Sequence, residues 1–149
     1  MSLNVDPEIL SVFGFWSGLL ALKVMAMSLL TARQRFRKQV FANPEDTSLA
    51  SKKAKVDFND PDVERVRRAH LNDLENVVPW FIATSLWIGT GPSTWLAGLL
   101  IRGFVISRII HTIVYAIVPL PQPARGLSFG VGLLITGYMA VSTILHYSS

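Results

Sequence analysis

The chain has 149 residues, of which 50% are hydrophobic and 16% are charged, and its mean hydropathy is +0.40. Soluble globular domains rarely have this composition, which argues against a soluble enzyme. The formal net charge is +4, but the positive residues concentrate between the first two apolar stretches, so we expect no nucleic-acid partner. The chain has no cysteine, which excludes disulfides, thiolate metal ligands and a cysteine nucleophile.

Four apolar stretches dominate the sequence, at residues 9–31, 77–91, 95–120 and 126–147. The second is lengthened by the polar residues before it, so each can cross the roughly 30 Å hydrocarbon core of a bilayer. No stretch shows strand alternation, and an unpaired backbone group in lipid costs several kcal/mol, so we predict helices. The prediction is an all-α membrane protein, a single four-transmembrane-helix bundle over residues 1–149 with spans near 9–37, 61–90, 94–119 and 123–147.

The distribution of positive residues predicts the orientation of this bundle. They cluster at the end of the first span and in the loop at about 38–60, whereas the link between the second and third spans carries no charge. By the positive-inside rule the loop is cytosolic, both termini lie on the opposite side, and Arg125, before the fourth span, returns to the cytosol. No basic residue precedes the first apolar stretch, so we expect a retained helix rather than a cleaved signal peptide. The lysine-rich segment 44–59 is expected to be partly disordered.

The first span contains a charged residue, Lys23, well inside its apolar stretch. An unpaired cation there costs about 2.5 to 3.5 kcal/mol. Carboxylates at membrane depth are essentially limited to Asp73 and Glu75, so we expect one of them to pair with Lys23. The arginines at the end of this span, Arg35 among them, have a simpler interpretation as side chains that reach the lipid headgroups.

The second span begins with helix-start signals, because Asp60 can cap the helix and Pro61 suits its first position. Its front half is polar as it enters the bilayer. Helical spacing gathers two cations, an amide and a carboxylate on one stripe, made of Arg65, Arg68, Asn72 and Glu75.

A second polar face lies near the end of the third span, with Arg108, His111, Thr112 and Tyr115 at helical spacing. Taken singly, His111 could be a buried core histidine and Tyr115 an aromatic at the membrane interface. The predicted topology, however, brings this face, the polar half of the second span and Arg125 into one leaflet. The shared site would hold one carboxylate, Glu75, against four cations: Arg35, Arg68, Arg108 and Arg125. We therefore predict a site for a small anion.

Arg125 stands at the start of the fourth helix, where a guanidinium adds to the positive end of the helix dipole. A developing anion would be held there. If that anion is a thiolate, lowering a free thiol pKa of about 8.5 by two units ionises most of it at pH 7. The shift corresponds to about 2.7 kcal/mol, which one arginine and a hydroxyl donor can supply.

Four motifs resemble those of the MAPEG family of membrane-associated glutathione enzymes: FANPED at 41–46, VERVRRAHLNDLEN at 63–76, RxxHTxxY at 108–115 and PLPQPxR at 119–125. Their order and spacing cover nearly the whole chain. The resemblance implies a homotrimer in the endoplasmic reticulum membrane, with the mitochondrial outer membrane as a second location, and an active site that faces the cytosol. It also implies glutathione as co-substrate, no metal, and hydrophobic electrophiles and lipid hydroperoxides that arrive through the membrane lipids.

The same resemblance implies roles for individual residues. Arg125 would be the catalytic residue that stabilises the glutathione thiolate, acting alone or with Ser128, Tyr115 or a backbone N–H as a second donor. Glutathione would be bound by a larger set: Arg35, Arg68, Asn72, Glu75, Arg108, His111, Tyr115 and Ser128.

Two positions bear on the choice between branches of the family. Leu71 and Gly126 resemble the glutathione-transferase branch, because the prostaglandin E synthase branch has an arginine and a serine there. We therefore predict conjugation of glutathione to lipophilic electrophiles together with glutathione-dependent reduction of lipid hydroperoxides. The alternatives are a glutathione-dependent prostaglandin endoperoxide isomerase, a non-catalytic protein that binds a lipid mediator, and an anion channel.

Overall fold

The computed structural model describes residues 5–148 and contains four long helices. They are α1 (Pro7–Lys38), α2 (Pro61–Trp87), α3 (Thr94–Thr112) and α4 (Ala124–Ser148). A 3₁₀ turn, Ile88–Thr90, follows α2, and a π-helical turn, Ile113–Ile117, extends α3. The all-α prediction is confirmed, and the helices end within a few residues of the predicted bounds.

Three of these helical segments are long and apolar enough to cross a membrane, namely Pro7–Lys38, Thr94–Ile117 and Ala124–Ser148. The chain is therefore an all-α membrane protein. Helix α2 is long enough, at 27 residues or about 40 Å, but its front half is charged. A fourth crossing by α2 remains a prediction.

Helix α2 begins where the sequence predicts. Its first residue is Pro61, and the Asp60 carboxylate accepts hydrogen bonds from the backbone N–H groups of Asp62 at 3.0 Å and Val63 at 3.1 Å. Lys38, the last residue of α1, forms a 2.5 Å ion pair with Asp62. The end of α1 and the start of α2 are thus joined at one end of the bundle.

The link between α1 and α2 is ordered, so the prediction of partial disorder over 44–59 is wrong. It contains a 3₁₀ helix, Pro44–Leu49, and two short parallel strands, β1 (Val40–Phe41) and β2 (Lys55–Val56). Both residues of β1 are buried. The side-chain oxygen of Gln39 accepts hydrogen bonds from the backbone N–H of Ser51 at 3.1 Å and from its hydroxyl at 2.7 Å. This tertiary contact holds the backbone of a segment whose composition indicated disorder.

Helices α1 and α4 each pack against both α2 and α3, so α2 and α3 face each other across the bundle. Trp80 of α2 stacks on Phe104 of α3 there, with ring centroids 4.4 Å apart and planes within 2°. Both residues are fully buried. Gly132 of α4 allows close approach to α3, because a Cβ at this position would lie 3.2 Å from Ser107 Oγ.

The stacked pair predicts that truncating Phe104 destabilises the bundle more than truncating Phe15. Phe104→Ala removes a fully buried ring and should destabilise the bundle by about 3 to 5 kcal/mol, the range for buried aromatic truncations. Phe15→Ala removes a ring that is 67% exposed and serves as the matched control. Thermal unfolding of both variants in the same detergent measures the difference. Equal unfolding midpoints would contradict the assignment of the Trp80–Phe104 stack to the core.

Candidate functional site

A carboxylate at the centre of the bundle collects side chains from two other helices. Asp73 of α2 is fully buried, and its Oδ2 accepts a hydrogen bond from Lys23 Nζ of α1. Its Oδ1 accepts from Arg108 of α3, at 2.8 Å from Nη2 and 3.3 Å from Nε, and Thr112 Oγ1 lies 3.5 Å from Oδ2. The prediction that Lys23 pairs with Asp73 or Glu75 is confirmed, with Asp73 as the partner.

Arg108 extends this ion network toward two predicted site residues. It is fully buried, and its Nη2 donates to Asn72 Oδ1 at 2.8 Å and lies 3.3 Å from Nδ1 of His111. The two N–H groups of Nη2 are directed at Asn72 and Asp73, so its longer contact with His111 is secondary. Arg108 therefore orients the Asn72 amide and packs against the His111 ring.

The polar chain continues from His111 to the start of α4. The His111 ring meets the Tyr115 ring edge to face, with centroids 5.5 Å apart and an interplanar angle of 82°. Tyr115 lies in the π-helical turn Ile113–Ile117, a feature that often marks functional sites. Arg125 Cζ lies 5.0 Å from the centre of the Tyr115 ring, which is a cation–π contact.

Arg125 keeps a charge that no carboxylate of residues 5–148 neutralises through an ion pair. It lies in the first turn of α4, where the helix dipole is positive. Its Nε is buried and has no hydrogen-bond partner in the described part of the chain. Buried polar groups are normally hydrogen-bonded, so this geometry suits an added anionic ligand.

The polar stripe of α2 is partly open, since Arg65, its first member, pairs with Asp62 at 3.2 Å. Arg68 and Glu75 are exposed, and neither side chain forms a hydrogen bond or an ion pair with the rest of residues 5–148. Asn72 lies between them on the same face, is half-buried and contacts Arg108. Arg35 of α1 is also half-buried, and its Nη1 is buried without a partner in this range. Four predicted ligand-binding side chains thus retain unused donors or acceptors.

Two predicted donors near Arg125 are already engaged. The Ser128 hydroxyl is buried and lies within hydrogen-bond distance of the backbone oxygens of Ala124, at 3.0 Å, and Arg125, at 3.1 Å. The Gly126 N–H donates to Gln122 Oε1 at 3.1 Å. The Tyr115 hydroxyl has no hydrogen-bond partner in the described structure, so it is the free donor on this side of the site.

The sequence model of the MAPEG family matches residues 13–145 of the chain. The chain belongs to the MAPEG family. Microsomal glutathione S-transferase 1 of Mus musculus is 47% identical over 139 residues, which cover 91% of this chain and 89% of the relative. The Homo sapiens protein of the same name is 45% identical over 139 residues, with the same two coverages. Prostaglandin E synthase of Bos taurus is 33% identical over 142 residues, covering 94% of this chain and 90% of the relative.

Within this MAPEG chain the structure joins five of the predicted site residues in one series of contacts: Asn72, Arg108, His111, Tyr115 and Arg125. It does not bring Arg35, Arg68 or Glu75 into contact with that series. Sequence reasoning missed the central position of Asp73, which it considered only as a partner for Lys23. The available signal was that Asp73 precedes the apolar part of α2 by few residues, at the depth where buried cations need a carboxylate. No group of three or more His, Cys, Asp or Glu side chains in residues 5–148 could hold a metal ion.

The ion network predicts that Asp73→Asn destabilises this MAPEG chain strongly. The substitution leaves Lys23 and Arg108 as buried cations without a carboxylate, and breaking a buried pair in this way costs about 3 to 5 kcal/mol. Glu75→Gln changes the same charge on an exposed position two residues away and should cost no more than about 0.5 kcal/mol. Thermal unfolding in detergent compares the two variants.

Should Asp73→Asn fail to fold, Lys23→Met provides a milder test, because Asp73 keeps Arg108 as its partner. Its destabilisation should be smaller than that of Asp73→Asn and larger than that of Glu75→Gln. Unfolding midpoints of Lys23→Met and Glu75→Gln that coincide would show that the Lys23–Asp73 contact contributes nothing measurable.

Proposed function

We propose that this chain is a membrane-bound glutathione transferase in which Arg125 holds the glutathione thiolate. The observation that carries the proposal is the uncompensated Arg125 guanidinium, seated on Tyr115 at the positive end of α4. The relatives named microsomal glutathione S-transferase 1, which are 43% to 47% identical to this chain, support the same chemistry. The substrate class is lipophilic electrophiles dissolved in the bilayer.

The reaction is a nucleophilic displacement or addition by sulfur. Glutathione loses its thiol proton to solvent, and the thiolate is stabilised by the Arg125 charge and the helix dipole. The sulfur lone pair then forms a C–S bond with the electrophilic carbon, and the leaving group departs with the bonding electron pair. With a lipid hydroperoxide, two glutathione molecules are oxidised to the disulfide, while the hydroperoxide is reduced to an alcohol and water.

The second donor to sulfur in this mechanism is the Tyr115 hydroxyl. The hydroxyl of Ser128 and the N–H of Gly126 are engaged in local hydrogen bonds, whereas the Tyr115 hydroxyl is free within the described residues. A charge-assisted hydrogen bond from a phenol to a thiolate adds to the guanidinium contact. His111 orients the Tyr115 ring through their edge-to-face contact.

The peptide part of glutathione is bound by the α2 stripe and by Arg35. Arg68 and Arg35 pair with its carboxylates, Glu75 accepts from its ammonium, and Asn72 offers the N–H₂ that Arg108 leaves unused. Arg108 is fully buried, shares the Asp73 carboxylate with Lys23 and contacts Asn72 and His111, so we assign it first to positioning these two side chains; its Nη1, buried without a partner in residues 5–148, leaves one donor for the ligand. In this assignment the α2 stripe and Arg35 determine the affinity for glutathione, and Arg125 determines the rate of the reaction.

The exposed face of α2 supports assembly of several copies. Arg67, Arg68 and Glu75 share the outer surface of α2 with apolar residues such as Leu74 and Val78. Charges on a spanning helix are costly against lipid, so this face is better covered by protein or water than by acyl chains. We propose a homotrimer in the endoplasmic reticulum membrane with four crossings per subunit, and glutathione between neighbouring subunits on the cytosolic side.

A second candidate function is isomerisation of a prostaglandin endoperoxide, favoured by the 33% identity to prostaglandin E synthase of Bos taurus. Leu71 and Gly126 speak against it, since the prostaglandin E synthase branch resembles this chain less at these two positions, where it has an arginine and a serine. Product analysis separates the two reactions: incubation with glutathione and the endoperoxide should yield no enzyme-dependent isomer. An isomer formed at the rate of conjugation would favour the synthase activity.

The mechanism predicts that Arg125→Ala lowers the rate and leaves affinity nearly intact. Losing a two-unit depression of the thiol pKa lowers the thiolate fraction of bound glutathione at pH 7 from about three quarters to about 3%, which corresponds to about a 25-fold lower turnover number. The thiolate absorbance of bound glutathione should disappear, while its dissociation constant at pH 7 rises by only about fourfold, the part of the affinity that ionisation of the thiol contributes there. Arg33→Ala, an exposed arginine of α1, is the matched control. Full turnover in Arg125→Ala, or an unchanged thiolate signal, would refute the assignment.

Substitutions in the α2 stripe should weaken glutathione binding and leave the turnover number nearly unchanged, the opposite of Arg125→Ala. Arg68→Ala and Glu75→Gln each remove a contact to the charged groups of glutathione and should raise its dissociation constant about tenfold, or about 1.4 kcal/mol. Turnover at saturating glutathione should change little. Arg67→Ala is the control, because Arg67 pairs with Glu64 at 2.6 Å and lies off the stripe. Equal affinities in the Arg67 and Arg68 variants would exclude the stripe as the glutathione site.

A further inference from the structure

A cavity of about 550 Å³ lies between the first turns of α1 and α3, at the end of the bundle opposite Arg125. The two first turns are at the same level, because Thr94 Oγ1 donates to Asp6 Oδ2 at 3.3 Å. The cavity is lined by polar and apolar side chains from both helices, including Glu8, Thr94, Trp95 and Arg102. None of the residues that we assign to glutathione lines it.

Arg102 is the cation of this cavity, and its position needs an explanation. It lies in the apolar α3 segment, and its guanidinium forms neither an ion pair nor a hydrogen bond with other residues of 5–148. The guanidinium folds back over Gly98, where a Cβ would lie 3.0 Å from Nη1 and 3.6 Å from Cζ. Glycine at this position therefore lets the charge lie one helical turn nearer the membrane interface.

The lining residues are arranged by polarity along α3. Trp95, which is 74% exposed, stands near the helix start, and Leu99 and Ile106 follow on the same face with 50% and 45% exposure. Glu8 on α1 brings a carboxylate to the polar end of the cavity. Because the Arg102 guanidinium is drawn back over Gly98, the cation lies level with Leu99, near the Glu8 carboxylate and the exposed indole of Trp95, and Ile106 extends the apolar lining beyond it.

We propose that this cavity binds a zwitterionic phospholipid, with its phosphate at Arg102 and its ammonium headgroup at Glu8 and Trp95. A guanidinium forms strong charge-assisted hydrogen bonds with phosphate, and an indole face attracts quaternary ammonium groups. The carboxylate makes the site a poor match for a lipid with net negative charge. The acyl chain follows Leu99 and Ile106. The lipid would neutralise both unpaired charges at once.

Lipid titration of the detergent-solubilised full chain, followed by native mass spectrometry, tests the headgroup chemistry. Phosphatidylcholine should bind more tightly than phosphatidylglycerol, and diacylglycerol should bind weakest because it lacks the phosphate. Arg102→Gln should weaken phosphatidylcholine binding about tenfold, and Glu8→Gln should remove the preference over phosphatidylglycerol. Arg33→Gln, an exposed cation at the other end of α1, is the control. Equal binding of phosphatidylcholine and diacylglycerol, or no effect of Arg102→Gln, overturns the proposal.

A single thiol tests where the lipid lies, because the chain has no cysteine of its own. A fluorophore on Leu99→Cys should be quenched by a phospholipid with a spin-labelled acyl chain, and adding Arg102→Gln should reduce that quenching. Thermal unfolding confirms that each variant is folded before it is compared. If Leu99→Cys instead forms a disulfide between two copies in high yield, the cavity is covered by a second copy and the lipid proposal fails.

Discussion

The buried carboxylate of Asp73 is the interaction on which the arrangement of the bundle depends. Its partners come from different helices, Lys23 from α1 and Arg108 from α3. Each of these charges would cost several kcal/mol in an apolar surrounding without its partner. They can all be satisfied only when α1, α2 and α3 are packed at one relative height and rotation. Apolar helices in lipid gain little from hydrophobic contact, so such polar contacts specify register more strongly than they would in water.

The register set by Asp73 also determines the shape of the site. Asn72 precedes Asp73, so turning Asp73 inward places the Asn72 amide beside Arg108 and leaves Arg68 and Glu75 on the outer surface. On α3 the contact between Arg108 and His111 holds the His111 ring, which packs against Tyr115 in the π-helical turn. A structural ion network in the core thus positions side chains of the proposed glutathione site. Arg108 belongs to that network, and its predicted contact with glutathione stays a prediction.

Local sequence signals predicted the helices and much of the candidate site. The cap at Asp60 could be predicted because Asp before Pro is a local helix-start signal. The shared face of Arg108, His111 and Tyr115 could be predicted from helical spacing. The sequence could not show whether Asp73 or Glu75 pairs with Lys23. The two lie about 200° apart around α2, and only tertiary packing decides which one faces inward. Side-chain hydrogen bonds were equally hidden, as in the Ser128 hydroxyl that bonds to its own helix. The ordered link between α1 and α2 depends on a contact between Gln39 and a residue twelve positions away.

The same network bears on our proposal that Arg125, rather than Arg108, holds the glutathione thiolate. Arg108 lies 2.8 Å from the Asp73 carboxylate, which it shares with Lys23, and a second anion brought near Arg108 would meet that carboxylate as well. Arg125 rests on the neutral Tyr115 ring, which attracts the cation through its π face without cancelling its charge. The positive end of α4 adds a field of the same sign. An arginine held by an aromatic ring keeps its full electrostatic effect for a ligand, whereas one held by a carboxylate serves mainly to fix the structure.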